Sequence, residues 1–315
     1  MSTPETGPLP YPALCASQSH FVPLRHLQYH VRSWGDASMV TPERPPLVMV
    51  HGWMDVAASF QFVVDALAEA EGARRYVLAP DWRGFGLTST PAADSYWFPD
   101  YLADLDALLD ALLPEARYGA IDLLGHSMGG NVVMSYAGLR PQRIRRLVNL
   151  EGFGLPATKP QHAPKRLLQW LDELKQPQAL RSYASVQEVA ERLMKNNPRL
   201  PADKAAWLAP HWSRQAEDGR WHILGDPAHK RVNPVLYQVA EVLETWKLIT
   251  APVLWVEGEH TDVAQWWGTR YTKDEFHQRL QVVPRVQKEM LSPCGHMLHH
   301  DQPQALAAHL KAFLA

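Results

Sequence analysis

Cysteine is almost missing from this chain: Cys15 and Cys294 are the only two in 315 residues. Two cysteines without metal-type spacing argue against a disulfide framework and against a zinc site, and they fit a reducing, cytoplasmic compartment. No apolar run reaches the roughly 18 residues of a membrane span, so none is expected. Charge of one sign is lacking too. The net charge of −2 removes the electrostatic case for nucleic acid or an anionic membrane as partner. Residues 1–20 are rich in Pro, Ser and Thr but lack a basic stretch followed by an apolar one, so no secretory signal peptide is expected. Residues 1–19 are expected to form a loose arm. No internal repeat is present. What the chain does hold is 46% apolar residues, ample for the core of one large α/β domain with an insertion.

Short apolar runs alternate with amphipathic helical patterns. Strands are expected at 21–24, 27–34, 47–50, 76–79, 118–124, 146–150, 252–256 and 286–291. Helices are expected at 59–69, 100–113, after residue 127 and at 303–314. Strand–helix alternation with short connections predicts a mostly parallel central sheet flanked by helices. The alternation lapses between 152 and 248, where Pro, Trp and charged residues intersperse helical patterns such as 165–174 and 186–195. This stretch reads as a helical cap inserted into one core, made of 20–151 and 249–315.

The most informative segment is Gly125-His126-Ser127-Met128-Gly129, a G-x-S-x-G run between an expected strand and an expected helix. A nucleophilic serine on a strained strand-to-helix turn needs small neighbours, and the turn aims a helix N-terminus at the hydroxyl. The hydroxyl also needs a general base, and the base needs a group to hold its tautomer. His296 follows an expected strand and a glycine, in Pro293-Cys294-Gly295-His296, and is the expected base. His299 and His300 are expected as ordinary surface or capping groups near the last helix, and Cys294 as a small packing residue. For the acid, Glu151 and Asp262 both stand at carboxyl ends of expected strands, where sites form. Glu151 has an apolar stretch before it and Gly-Phe-Gly after it, a poor setting for a solvated charge; Asp262 lies among polar residues. His51-Gly52-Trp53 ends another expected strand. The amides of Trp53 and of Met128 are the expected donors to an oxyanion, with His51 as a buried structural histidine.

Taken together, His51-Gly52-Trp53, Asp81-Trp82-Arg83-Gly84-Phe85-Gly86, the Ser127 turn and Gly295-His296 resemble the α/β-hydrolase superfamily. The run Asn149-Leu150-Glu151-Gly152-Phe153-Gly154-Leu155-Pro156 is similar to its serine hydrolase-like branch. The resemblance implies the α/β-hydrolase fold. It also implies an acid after the strand 252–256 in a Gly-x-x-Asp pattern, but here that position is Thr261 and Asp262 comes one residue late. One subgroup of haloalkane dehalogenases, and some epoxide hydrolases, carry a Glu one strand earlier, 24 positions after the nucleophile. The difference 151 − 127 is also 24, so the resemblance favours Glu151, with Asp262 as the alternative. Those relatives use an aspartate nucleophile; a serine at 127 points instead to acyl transfer. The function expected is hydrolysis of a small-molecule carboxylic ester, with no metal or organic cofactor required. A thioesterase, lactonase or C–C bond hydrolase would use the same groups, and a non-catalytic binding protein on this fold is the alternative from another class. The twelve tryptophans, several in or near the cap, are expected mostly in cap–core packing.

Overall fold

The short apolar runs assemble into one eight-stranded sheet in the computed structural model, which describes residues 8–89 and 93–315. In chain order the strands are β1 Ser17–Leu24, β2 Leu27–Trp34, β3 Leu47–Val50, β4 Val77–Pro80, β5 Ile121–His126 and β6 Ile144–Leu150. After β6 come three short strands, β7 Ser182–Tyr183, β8 Ser213–Gln215 and β9 Trp221–Ile223, then β10 Val253–Gly258 and β11 Val286–Leu291. The large sheet runs β1-β2-β4-β3-β5-β6-β10-β11. Its pairings are antiparallel at β1–β2 and β2–β4 and parallel throughout the rest.

Parallel strands covered on both faces have no side that tolerates polar residues, hence the unbroken apolar runs. β10 shows the two-residue period: Val253 and Trp255 join the core on one face, Leu254 and Val256 the core on the other. Against the first face pack the helices Phe98–Leu112, Met128–Leu139 and Val239–Lys247, through Leu105, Val133 and Trp246. The opposite face is covered by the helices Gln61–Glu71 and Pro303–Leu314, through Val63, Leu67 and Leu310. Each such fully buried aliphatic side chain contributes on the order of 1.5–3 kcal/mol.

Three expectations need correction. The expected strand at 118–124 starts only at Ile121, because Tyr118 closes a short helix and Gly119, at φ 63°, turns the chain. The arm expected at 1–19 is not loose where it is described. The buried Asp65 carboxylate accepts from Tyr11 Oη at 3.0 Å, Leu14 N at 3.2 Å and Cys15 N at 2.8 Å, and β1 begins at Ser17; residues 1–7 lie outside the described ones. Third, the stretch 152–248 is not helical alone. It holds the helices Ala163–Leu174, Val186–Asn196, Ala202–Trp212 and Val239–Lys247, but also β7, β8 and β9, which form a separate antiparallel sheet in the order β7-β9-β8. Strands of two or three residues are too short to leave a periodic signal.

Candidate active site

β5 lies between β3 and β6 in the sheet, and its last residue, His126, hands directly to Ser127. Ser127 has φ 53° and ψ −116°, a conformation that L-residues rarely adopt. Ser127 N continues the β5–β6 pairing by donating to Leu150 O at 2.8 Å, and Asn131 N in the helix donates to Ser127 O at 3.1 Å. Glycine is required on either side. A Cβ at Gly125 would strike the Gly129 carbonyl, and one at Gly129 would strike the carbonyls of Val50 and His51. Backbone strain held in place by such close packing is the usual mark of a functional position.

The loop after β11 brings His296 to this serine. His296 Nε2 lies 2.9 Å from Ser127 Oγ. On the other side of the ring, Nδ1 lies 2.6 Å from Glu151 Oε2. Glu151 follows the end of β6 in a left-handed conformation of its own, φ 56°. Its carboxylate also accepts from Gly258 N at 2.6 Å and from Thr261 Oγ1 at 2.9 Å. Asp262 is exposed and accepts from Ala264 N at 2.9 Å, with no bond to His296. Hydroxyl, imidazole and buried carboxylate thus stand in one hydrogen-bonded line. Such a line can take a proton from the hydroxyl and return it to a leaving group.

Electrostatics favour that use. Burial pushes the His296 imidazole down to about 4, so it is uncharged at neutral pH. Burial raises the Glu151 carboxyl, and the Gly258 and Thr261 donors hold it down. Both shifts disfavour a standing ion pair in the resting site, and the two groups titrate as one unit. Glu151 is already served by two other donors, so the shared proton belongs on Nδ1, which leaves the Nε2 lone pair facing Ser127.

Trp53 lines the cavity that holds Ser127, and Met128 follows the serine directly in the chain. Met128 opens the helix Met128–Leu139, whose first amides have no intrahelical acceptor. Trp53 lies in the loop after β3, just before Met54, another left-handed residue at φ 56°. Among the described residues neither the Trp53 nor the Met128 amide donates to a protein acceptor. His51 holds this loop. Its Nδ1 donates to Gly52 O at 2.7 Å, its Nε2 accepts from Trp82 N at 2.9 Å, and its own carbonyl accepts from Trp82 Nε1 at 3.0 Å. The serine opens into a cavity of about 730 Å³, walled by Trp53, Leu193, Leu208, Trp212 and Trp266 among others. The Trp266 ring stands edge-on to His296, with centroids 4.5 Å apart.

Several neighbours of the site leave little signal in the sequence. His126, the variable residue before Ser127, donates from Nε2 to the His296 carbonyl at 2.8 Å and so fixes the loop that carries the imidazole. Thr261, at the position where an acid is commoner, serves the acid of the neighbouring strand instead. The only signal for it was the departure itself. His299 and His300 are neither surface nor capping groups: they are 0% and 3% exposed, and both contact Ser59 Oγ. Their burial follows from the short helix Leu298–Asp301 folding back onto the turn Ala57–Phe60, a contact between opposite ends of the chain.

A model of the α/β hydrolase fold family matches residues 45–303. The chain belongs to that family. Among curated proteins it is 26% identical over 284 residues to the cis-3-alkyl-4-alkyloxetan-2-one decarboxylase of Shewanella oneidensis, covering 85% of this chain and 81% of the relative. It is 21% identical over 314 residues to the human serine hydrolase-like protein 2, covering 96% and 95%. Among solved structures it is similar to the thioesterase domain from the curacin biosynthetic pathway, with a TM-score of 0.78, 26% identity, and coverage of 94% of this chain and 99% of that one. Among the described residues no helix of this α/β hydrolase is long and apolar enough to cross a membrane.

Proposed function

We propose that the protein is a carboxylesterase-type serine hydrolase, with Ser127 as nucleophile, His296 as general base and acid, and Glu151 as the carboxylate that holds His296. Ser127 Oγ bonds to the ester carbonyl carbon while its proton passes to His296 Nε2. The resulting oxyanion accepts from the amides of Trp53 and Met128, each worth on the order of 3–4 kcal/mol in the transition state. The tetrahedral species then breaks its bond to the alcohol oxygen, which leaves with the proton from Nε2. Water gives a proton to the same nitrogen and attacks the acyl carbon, and Ser127 leaves with that proton. No step needs a metal or an organic cofactor.

One observation carries the reading: a single imidazole bridges a strained serine hydroxyl at 2.9 Å and a buried carboxylate at 2.6 Å. The stretch 152–248 is proposed as a cap that sets substrate preference, since it supplies Leu193, Leu200, Leu208 and Trp212 to the cavity that holds Ser127. That apolar wall suits an acyl chain. The unpaired Cys15 and Cys294 support a reducing, cytoplasmic setting. A thioester substrate is the second reading, favoured by the likeness to the curacin thioesterase domain. Treatment with a fluorophosphonate probe, alongside hydrolysis of p-nitrophenyl esters and acyl thioesters, tests both. Native protein should be labelled and Ser127→Ala should not. Equal labelling of the two, or no turnover of any ester or thioester by the native chain, refutes the proposal.

A further inference from the structure

Asp55, Ser59, His299 and His300 form a buried cluster that ester hydrolysis does not use. Asp55 lies in the loop after β3, Ser59 in the turn Ala57–Phe60, and the two histidines in the helix Leu298–Asp301. Their exposures are 6%, 0%, 0% and 3%. One ligand atom from each of Asp55, His299 and His300 lies within 4.8 Å of the other two. Asp55 Oδ2 is 3.7 Å from His299 Nε2. Ser59 Oγ sits between the rings, 2.9 Å from His299 Nε2 and 2.6 Å from His300 Nε2.

Not every polar atom here has a partner. Ser59 Oγ can donate to one imidazole and accept from the other. Asp55 Oδ1 accepts from Val56 N at 2.9 Å, but Asp55 Oδ2 is buried with no donor, and so is His299 Nδ1 with no partner. A cation held by the Asp55 carboxylate would give its unpartnered oxygen the partner it lacks.

We infer that Asp55, His299 and His300 bind one divalent transition-metal ion of the zinc type in the wall of the active-site cavity. Two imidazoles and a carboxylate are the donor set for such an ion; magnesium and calcium take oxygen ligands. Ser59 Oγ or a water completes four-coordination. The ion has an entry path, because Asp55 and His300 line the same cavity as Ser127 and His296. No ligand spacing betrays the site in the sequence, since its ligands come from opposite ends of the chain. It also bears on the reaction. The His126 ring lies 4.6 Å from His299, and His126 donates to the His296 carbonyl. A doubly positive ion there opposes protonation of His296, so occupancy slows hydrolysis. That last consequence rests on the proposed function; the binding does not.

The test uses the full chain, stripped with EDTA and titrated with Zn²⁺ by equilibrium dialysis and with Co²⁺ by visible absorption. Wild type and His296→Ala should each take up about one ion per chain. Asp55→Asn and His299→Gln should each weaken binding by at least about 100-fold. Mg²⁺ at equal concentration should not compete. Should either variant fail to fold, the Co²⁺ spectrum of the wild type decides: a nitrogen–oxygen site gives ligand-field bands without a sulfur charge-transfer band. Wild type that binds no ion, or variants that bind as wild type does, would overturn the inference. Loss of binding in His296→Ala would assign the ion to Ser127 and His296 and overturn it as well. An absence of ester hydrolysis in metal-free wild type would count against the proposed function and leave the titration intact.

Discussion

Replacing Glu151 by Gln exchanges one carboxylate oxygen for an NH2 group, and the surroundings dictate which. Gly258 N–H cannot turn round, so the oxygen must stay on that donor, now 2.6 Å from Glu151 Oε1. The amide nitrogen then takes the place of Oε2, between Thr261 Oγ1 and His296 Nδ1. Thr261 can adapt by rotating its hydroxyl to accept. His296 can adapt only by moving its proton from Nδ1 to Nε2. An Nε2–H faces Ser127 Oγ as a donor and cannot take the serine proton. Loss of the right tautomer and of the charge that steadies the imidazolium costs about 10⁴-fold in kcat, or ~5.5 kcal/mol at about 1.4 kcal/mol per decade. Gln is isosteric and its oxygen stays bonded, so the variant should fold, as circular dichroism would check. Asp262→Asn is the internal control. Its oxygen keeps the bond from Ala264 N in an exposed loop, so hydrolysis should stay within about tenfold of wild type, ~1.4 kcal/mol. Kinetics on p-nitrophenyl esters read both variants. A folded Glu151→Gln with more than about a tenth of wild-type kcat would sink the reasoning, as would a crippled Asp262→Asn.

The pH profile follows from burial of the imidazole. The base is lost as pH falls through the folded value of His296, so kcat/KM should hold down to about pH 5 and drop tenfold per unit below about 4. An inflection near 6.5, the value of a free imidazole, would show that the ring is hydrated. Stability should respond to acid through His126, whose pKa burial lowers to about 3. Between pH 6.5 and 3 the unfolded chain binds a proton that the folded chain refuses, so stability falls as pH drops, by up to ~1.4 kcal/mol per unit. Denaturant melts of His126→Gln should show a correspondingly flatter acid limb; an unchanged slope would remove His126 from the account. Gly125→Ala sets a Cβ against the Gly129 carbonyl and should cost about 1–3 kcal/mol in the same melts, and a neutral result would mean that the turn relaxes freely.

The strand–turn–helix around Ser127 was legible because everything that makes it is local. The glycines, the apolar run before them and the helix after them lie within twenty residues, and steric exclusion at Gly125 and Gly129 writes itself into the sequence as residue identity. The alternating core was legible for the same reason: strands buried on both faces leave apolar runs of strand length. Legibility stopped where a residue's role depends on a partner far along the chain. The carboxylate of Asp65 ties down residues 11–15 from about fifty positions away, and nothing near Cys15 announces it. Ser59 meets His299 and His300 across some 240 residues, so nothing near positions 299 and 300 marks the two rings as buried.

Thr261 shows how an apparent defect in a pattern can carry information. On a parallel sheet the residues just past neighbouring strand ends converge on one point, so an acid can reach the same imidazole from either β6 or β10. β6 pairs with β10 through Leu150 and Val256, which sets Glu151 beside Gly258 and Thr261. A second carboxylate at 261 would face Glu151 across a distance now spanned by one hydrogen bond of 2.9 Å, and two like charges that close in a dry site would not both ionise. A hydroxyl resolves the conflict, since it donates to the carboxylate without competing for His296. A carboxylate on β6 and a hydroxyl on β10 therefore fit together: carboxylates on both strands would give the imidazole two rivals, and one on neither would leave it without a partner.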